Sequence, residues 1–101
     1  MTFRIRLTDE ARDDLRRLSR FLAARDDSAA ERAIEAIEAI ERGFGFLEHS
    51  PFSCRKAGES ALLRELVIPF AGAGYVALFS IDDQRTVTVA AIRHQREDDY
   101  H

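Results

Sequence analysis

The last ten residues, IRHQREDDYH (residues 92–101), concentrate the side chains of this 101-residue chain that could do chemistry. Arg93 and Arg96 flank His94, and Tyr100 follows three consecutive acidic residues. Cleavage of RNA without a metal needs a base near the 2′-hydroxyl, cations that stabilise the charged phosphorane, and an acid for the leaving oxygen. Histidine and arginine can fill the first two roles. Because arginine and tyrosine also anchor protein interfaces, the tail predicts either a ribonuclease site or a protein-binding surface.

Composition and charge narrow the function classes open to the chain. Hydrophobic residues make up 46% and charged residues 33% of the sequence, which is typical of one soluble domain spanning residues 1–101. The formal net charge is −3, whereas a protein that binds phosphate backbones needs a surplus of lysine and arginine. We therefore expect no broad or sequence-specific binding to nucleic acid.

The cysteine, the histidines and the apolar runs predict a cytoplasmic protein without a cofactor. Cys54 is the only cysteine, so neither a disulfide framework nor a thiolate metal cluster is expected. The three histidines lack metal-ligand spacing, and no metal site is predicted. The N-terminus does not resemble a signal peptide, and no apolar run approaches the roughly 20 residues of a membrane helix.

The elements that must position these residues begin with a strand and a helix. Residues 3–8 alternate apolar and basic side chains, which predicts a half-buried strand. Thr8 is placed to N-cap a helix, because acidic residues occupy the first turn and apolar residues then recur at helical spacing. This helix is expected to run to about residue 25, where two aspartates follow.

A second helix is predicted directly after the first, so the two must form an antiparallel hairpin. Residues 28–31 match a capping box, with apolar residues at helical spacing beyond it. Gly43 and Gly45 weaken the end of this helix, and Pro51 forbids its continuation. Residues 48–61 are predicted to be a loop.

The hydrophobic period then changes from helical to alternating, which predicts three consecutive strands. They are residues 62–69, 75–81 and 86–93, joined by a turn at 71–74 and a loop at 82–85. The predicted fold class is therefore α+β: an N-terminal strand, an antiparallel helix hairpin, then a three-stranded antiparallel meander with the helices on one face of the sheet.

Three features of this second half occur together: Arg64 in the first meander strand, Gly74-Tyr75 entering the next, and the block from Arg93 to Tyr100 after the last. With the order of elements, they resemble the RelE/ParE superfamily of toxins from bacterial type II toxin–antitoxin systems. The likeness covers nearly the whole chain. It implies a growth-inhibiting toxin of the kind linked to plasmid stabilisation. RelE-like members cut mRNA on the ribosome, whereas ParE-like members inhibit DNA gyrase.

For the RelE-like branch, the resemblance implies a catalytic set made of Arg64, His94, Arg96 and Tyr100. Three features depart from it. Val76 stands where many of these nucleases have an arginine after the aromatic residue, and His94 stands where many place another basic residue. The third is electrostatic, because the chain lacks a basic surplus and three acidic residues would repel phosphate near the tail.

The ParE-like branch fits these features better, and it implies a gyrase inhibitor rather than an enzyme. The expected target-binding residues are Arg64, Tyr75, Arg93, His94, Arg96 and Tyr100. A decayed toxin that only binds its antitoxin is a third interpretation.

The resemblance also implies a cognate antitoxin, expected to be a ParD-like ribbon-helix-helix protein that forms a heterotetramer with the toxin; a homodimer of the free toxin is the other assembly considered. Five apolar residues near the helix ends exceed what the helical stripes need, so a partner segment is expected to cover them. These predicted antitoxin-binding residues are Phe21, Phe44, Phe46, Leu47 and Phe52.

Overall fold

Two helices and five strands make up the part of the chain that the computed structural model describes, which is residues 2–23, 29–70 and 73–95. In chain order they are β1 (Arg4–Leu7), α1 (Asp9–Ala23), α2 (Ala29–His49), a 3-10 turn (Pro51–Ser53), β2 (Arg55–Lys56), β3 (Leu63–Phe70), β4 (Ala73–Ile81) and β5 (Thr86–His94). The predicted α+β order of strand, helix pair and antiparallel meander is confirmed.

The five strands form one sheet in the order β1-β5-β4-β3-β2. β1 lies parallel to β5, while the other neighbouring pairs are antiparallel. Alternate residues of β4, including Ala77, Phe79 and Ile81, belong to the same buried cluster as α1 and α2 residues. The helices therefore cover one face of the sheet, because side chains two apart in a strand point the same way.

Thr8 caps α1 as predicted, since its Oγ1 accepts a hydrogen bond from the backbone N–H of Ala11 at 3.0 Å. Ala11 and Leu18 of the predicted apolar stripe are buried, and Leu15 packs against the core from its edge. The predicted break at residues 26–27 and the Ser28 capping box lie outside the described residues.

The prediction for the loop that follows α2 is wrong in part. The helix continues through Gly43 and Gly45 to His49, and Pro51 stops it as expected. A Cβ at Gly43 would lie 3.0 Å from Ile68 Cδ1, so this glycine lets α2 approach β3 closely. This packing outweighs the intrinsic weakness of glycine in a helix. The predicted loop 48–61 also contains the 3-10 turn and β2.

Candidate functional site

The start of β4 meets the end of β5, and three rings come together there. Tyr75 pairs with His94 in the strand register, and their rings meet edge to face with centroids 5.5 Å apart. The Phe70 ring lies 6.1 Å from that of Tyr75. Tyr75 is only 2% exposed, and its burial raises the pKa of the phenol. Tyr75 is thus a core residue whose ring packs against the ring of His94, and it is not a surface residue.

Arg93 lies at the same end of the sheet but on its other face. The register pairs it with Val76, whose side chain points away from the Tyr75 side of β4. Its Nη1 donates a hydrogen bond to the His94 carbonyl at 3.4 Å. Arg96 and Tyr100, which the sequence analysis placed beside these residues, lie outside the described residues.

Arg64 is not brought into this group. It pairs with Phe79, four residues along β4 from Tyr75, or about 13 Å at the usual rise of a strand. Its guanidinium donates to three backbone carbonyls: Ala61 at 2.7 Å, Phe52 at 3.0 Å and Cys54 at 2.7 Å. It also lies 5.4 Å from the centroid of the Phe52 ring. In this arrangement Arg64 fastens the 3-10 turn to β3.

A second candidate surface is a groove of about 430 Å³ between α2 and β3, here called the α2–β3 groove. Phe46 is 45% exposed on its helix wall, Leu66 and Ile68 lie on its strand wall, and Arg42 supplies a positive charge. Its lining residues are Ala39, Arg42, Gly43, Phe46, Leu66, Val67, Ile68 and Pro69. A groove of this kind suits an amphipathic segment of a protein partner.

Of the five residues predicted to bind an antitoxin, the four whose side chains the structure describes do not form one surface. Phe46 and Phe52 are 45% and 56% exposed, but only Phe46 lines the α2–β3 groove. Phe44 is half-buried against the core. Leu47 is fully buried on the core side of α2, so it cannot contact a partner on the surface as the structure stands. The Phe21 side chain lies outside the described residues.

Val67, Pro69 and Arg42 were missed by the sequence analysis. Strand alternation offered a signal for Val67, because it falls between the core residues Leu66 and Ile68 and therefore points to the opposite face. Nothing in the sequence indicated that Arg42 would stand beside β3, since that depends on how α2 crosses the sheet.

Cys54 is buried at 8% exposure, and the burial raises the pKa of its thiol, although the Arg64 charge opposes the shift. A thiol held protonated is a poor nucleophile, in keeping with a structural role. Across the described residues, no group of three or more His, Cys, Asp or Glu side chains could hold a metal ion. None of the described helices is long and apolar enough to cross a membrane.

Comparisons with known proteins agree with this architecture. The sequence profile of a family described as "ParE toxin of type II toxin-antitoxin system, parDE" matches residues 5–99. "Toxin RelE3" of Caulobacter vibrioides is 38% identical over 93 residues, which are 92% of this chain and 95% of the relative. A solved structure, "Chromosomal ParDE TA system from P. aeruginosa", matches with a TM-score of 0.73 at 16% identity, covering 92% of this chain and 96% of the other. The chain therefore belongs to the ParE toxin family of type II toxin–antitoxin systems.

Proposed function

We propose that this toxin inhibits DNA gyrase and so blocks replication, until a cognate antitoxin neutralises it. The observation that carries the proposal is the orientation of Arg64. A ribonuclease of the RelE type would use this arginine to clamp the phosphate, yet its guanidinium faces three backbone carbonyls instead. To reach a phosphate it would have to abandon hydrogen bonds that hold its own fold together.

The surface around the tail also favours a protein target. The sheet face away from the helices carries Val67, Leu78 and Arg93, and the chain as a whole has a net charge of −3. Apolar residues with an arginine among them are common at the centre of protein interfaces. A site for ribosomal RNA would instead need a basic surplus.

The competing function is cleavage of mRNA on the ribosome, as in RelE-like toxins. It remains an alternative because the Caulobacter relative carries the name Toxin RelE3. His94 is the residue whose imidazole could serve it as a base or an acid. A decayed toxin that retains only antitoxin binding is the remaining alternative.

A supercoiling assay separates these functions. Purified toxin is added to gyrase, ATP and relaxed plasmid, with and without the antitoxin. We expect supercoiling to stop, linear DNA to accumulate, and the antitoxin to reverse both effects. Full gyrase activity together with codon-specific mRNA cuts on translating ribosomes would refute the proposal, and absence of both activities would identify a decayed toxin.

Two alanine variants test where the target binds. Arg93→Ala and His94→Ala should each weaken gyrase inhibition by about tenfold or more, the loss typical of an interface anchor. Arg85→Ala is the matched control, because Arg85 precedes β5 at the opposite end of the sheet. An equal loss in all three variants would place the target contact elsewhere.

The antitoxin is proposed to occupy the α2–β3 groove with an apolar segment that carries an acidic residue opposite Arg42. The apolar walls supply most of the affinity through burial, and the charge of Arg42 selects the partner's acidic side chain. A ribbon-helix-helix antitoxin with such a C-terminal segment would fit this site.

The outer edge of β3 can also receive a strand of the antitoxin. The backbone carbonyl of Leu63 points toward this edge and accepts a hydrogen bond from the Ala57 N–H. By strand alternation, the backbone groups of Val67 and Pro69 point toward the same edge. β2 covers only Arg64 and Glu65, so Val67 stays outside the paired part of the edge. Because Pro69 has no N–H to donate, the added strand would be short.

Phe46→Asp should weaken antitoxin binding by about a hundredfold, because it places a charge on the groove's apolar wall. Ile34→Asp is the matched control: Ile34 is 60% exposed on the same helix but does not line the groove. Calorimetric titration gives both affinities. If Ile34→Asp had the larger effect, the antitoxin would bind another face of α2.

A further inference from the structure

β5 contains a bulge that decides which way Arg93 and His94 point. Phe79 pairs with Val89 and Leu78 pairs with Ala91, so Ala90 is an extra residue without a partner. Val87 and Val89 face the helices before the bulge, and Ile92 does so after it. Without the extra residue, alternation would turn Ala91 and Arg93 toward the helices instead.

Thr8, which caps α1, and Asp14 in the first half of α1 form hydrogen bonds to the residues around this bulge. The Thr8 hydroxyl donates to the Ala90 carbonyl at 3.0 Å, and the Thr8 N–H donates to the Val89 carbonyl at 3.0 Å. Asp14 Oδ2 accepts a hydrogen bond from the Ile92 N–H at 2.8 Å. The contacts therefore lie on both sides of Ala90.

Asp14 is well suited to this task because it is charged and only 2% exposed. Its other oxygen lies 3.6 Å from Arg17 Nη2, which in turn lies 3.5 Å from the Ile92 carbonyl. The Asp14–Arg17 pair thus offers Ile92 an acceptor and a donor, as a neighbouring strand would. It does so past the end of β1, where β5 would otherwise present an open edge.

We propose that Asp14, together with Thr8, is a positioning residue of the toxin: it locks the bulge at Ala90 and thereby places Arg93 and His94 on their respective faces for target contact. The functional part of this proposal rests on the proposed role of the tail in target binding. Removing the carboxylate leaves the Ile92 N–H without its acceptor and favours strand registers that lack the bulge. His94 then leaves the Tyr75 ring, and Arg93 turns toward the helices.

The experiment compares Asp14→Ala and Asp14→Asn with Asp13→Ala. Asp13 is the matched control, because it carries the same charge one residue earlier but is exposed and bonded only on the surface, to Arg16 at 2.8 Å. Asparagine keeps an oxygen acceptor of similar shape, so Asp14→Asn remains informative if Asp14→Ala fails to fold. Amide exchange at Ile92 and the nuclear Overhauser contact between the Tyr75 and His94 rings report the lock directly, whatever the target is.

We expect Ile92 exchange to accelerate by about ten- to a hundredfold in Asp14→Ala, the range for losing a hydrogen bond to a charged acceptor. The Tyr75–His94 contact should weaken, and Asp14→Asn should recover part of both signals. The dose needed for growth arrest should rise about tenfold, the equivalent of one lost interface contact. Antitoxin affinity should stay within about threefold, since the α2–β3 groove lies at the other edge of the sheet.

Unchanged Ile92 exchange in Asp14→Ala would overturn the lock, and so would equal effects of Asp13→Ala. Altered exchange with undiminished growth arrest would overturn the positioning role. A parallel loss of growth arrest and antitoxin affinity would overturn it too, because that pattern reports general destabilisation. Growth arrest is independent of which target the toxin has, so an inactive supercoiling assay would refute the gyrase proposal alone.

Discussion

Replacing Arg64 by alanine tests whether this arginine stabilises the fold or contacts the target. In the structure its guanidinium joins the 3-10 turn to β3 through the carbonyls of Phe52 and Cys54, and closes the preceding loop through Ala61. It also stacks beneath the exposed Phe52 ring. The alanine variant loses all of these contacts at once, so we expect a large loss of stability.

The magnitude follows from the exposure of each contact. The bonds to Ala61 and Phe52 are exposed, so their carbonyls regain water and each bond is worth about 0.5 kcal/mol. The part-buried bond to Cys54 is worth about 1.5 kcal/mol, and the exposed stacking adds about 0.5 kcal/mol. Together the free energy of unfolding should fall by about 3 kcal/mol. For a domain of this size the melting temperature drops by roughly 15 °C.

Urea denaturation of the purified toxin measures this loss, with gyrase inhibition assayed on the same preparations at a temperature where both proteins are folded. Arg64→Lys should recover less than half of the stability, because an ammonium cannot reach three carbonyls in the geometry of the guanidinium fork. Arg55→Ala is the control, since its pair with Glu65 at 3.1 Å is exposed and worth under about 1 kcal/mol. If Arg64→Ala kept full stability yet lost gyrase inhibition, Arg64 would be a target contact and the structural reasoning would fail.

Two further substitutions test the tail end of the sheet. Gly74→Ala should destabilise the protein by more than about 3 kcal/mol in urea denaturation, because Gly74 has φ +151° and an added Cβ would lie 2.4 Å from the Ile68 carbonyl oxygen; a loss under about 1 kcal/mol would contradict this geometry. Burial raises the pKa of Tyr75, so the neutral phenol stabilises the fold fully below the unfolded pKa of about 10, and that contribution is lost as the pH rises through the folded pKa. In Tyr75→Phe, the free energy of unfolding should therefore fall less steeply between pH 9 and about 11. Tyr100→Phe is the control, and an equal effect of that substitution would show that Tyr75 is not the group responsible.

Much of the fold could be predicted because local signals and tertiary packing agree. The Thr8 cap, the alternation along β4 and the stop at Pro51 each depend on neighbouring residues in sequence, and each is confirmed. The structural role of Gly43 in α2 could not be predicted in this way. It depends on β3 approaching the helix closely enough that a side chain would crowd Ile68. β2 was missed for a similar reason: it has two residues, and its only support is pairing with β3.

The candidate site was less predictable, because the type of a residue does not determine the direction in which its side chain points. Arg64 and Tyr75 were selected for chemistry that requires exposed groups, yet one faces backbone carbonyls and the other is in the core. For Arg93 and His94 the deciding feature is the bulge at Ala90, which reverses the alternation that the sequence predicts from Val87 and Val89.

The sequence feature that accompanies this bulge is Asp14, and its significance can be recognised only once the structure is known. Asp14 lies next to the predicted apolar stripe of α1, at a position where an aspartate has no local reason to be buried. Its reason is the Ile92 N–H, 78 residues away along the chain. A buried carboxylate is unfavourable without partners, and the Ile92 N–H and Arg17 both supply one to Asp14. It follows that the directions of Arg93 and His94 depend on α1 as much as on β5, and substitutions at Asp14 should act on both residues together.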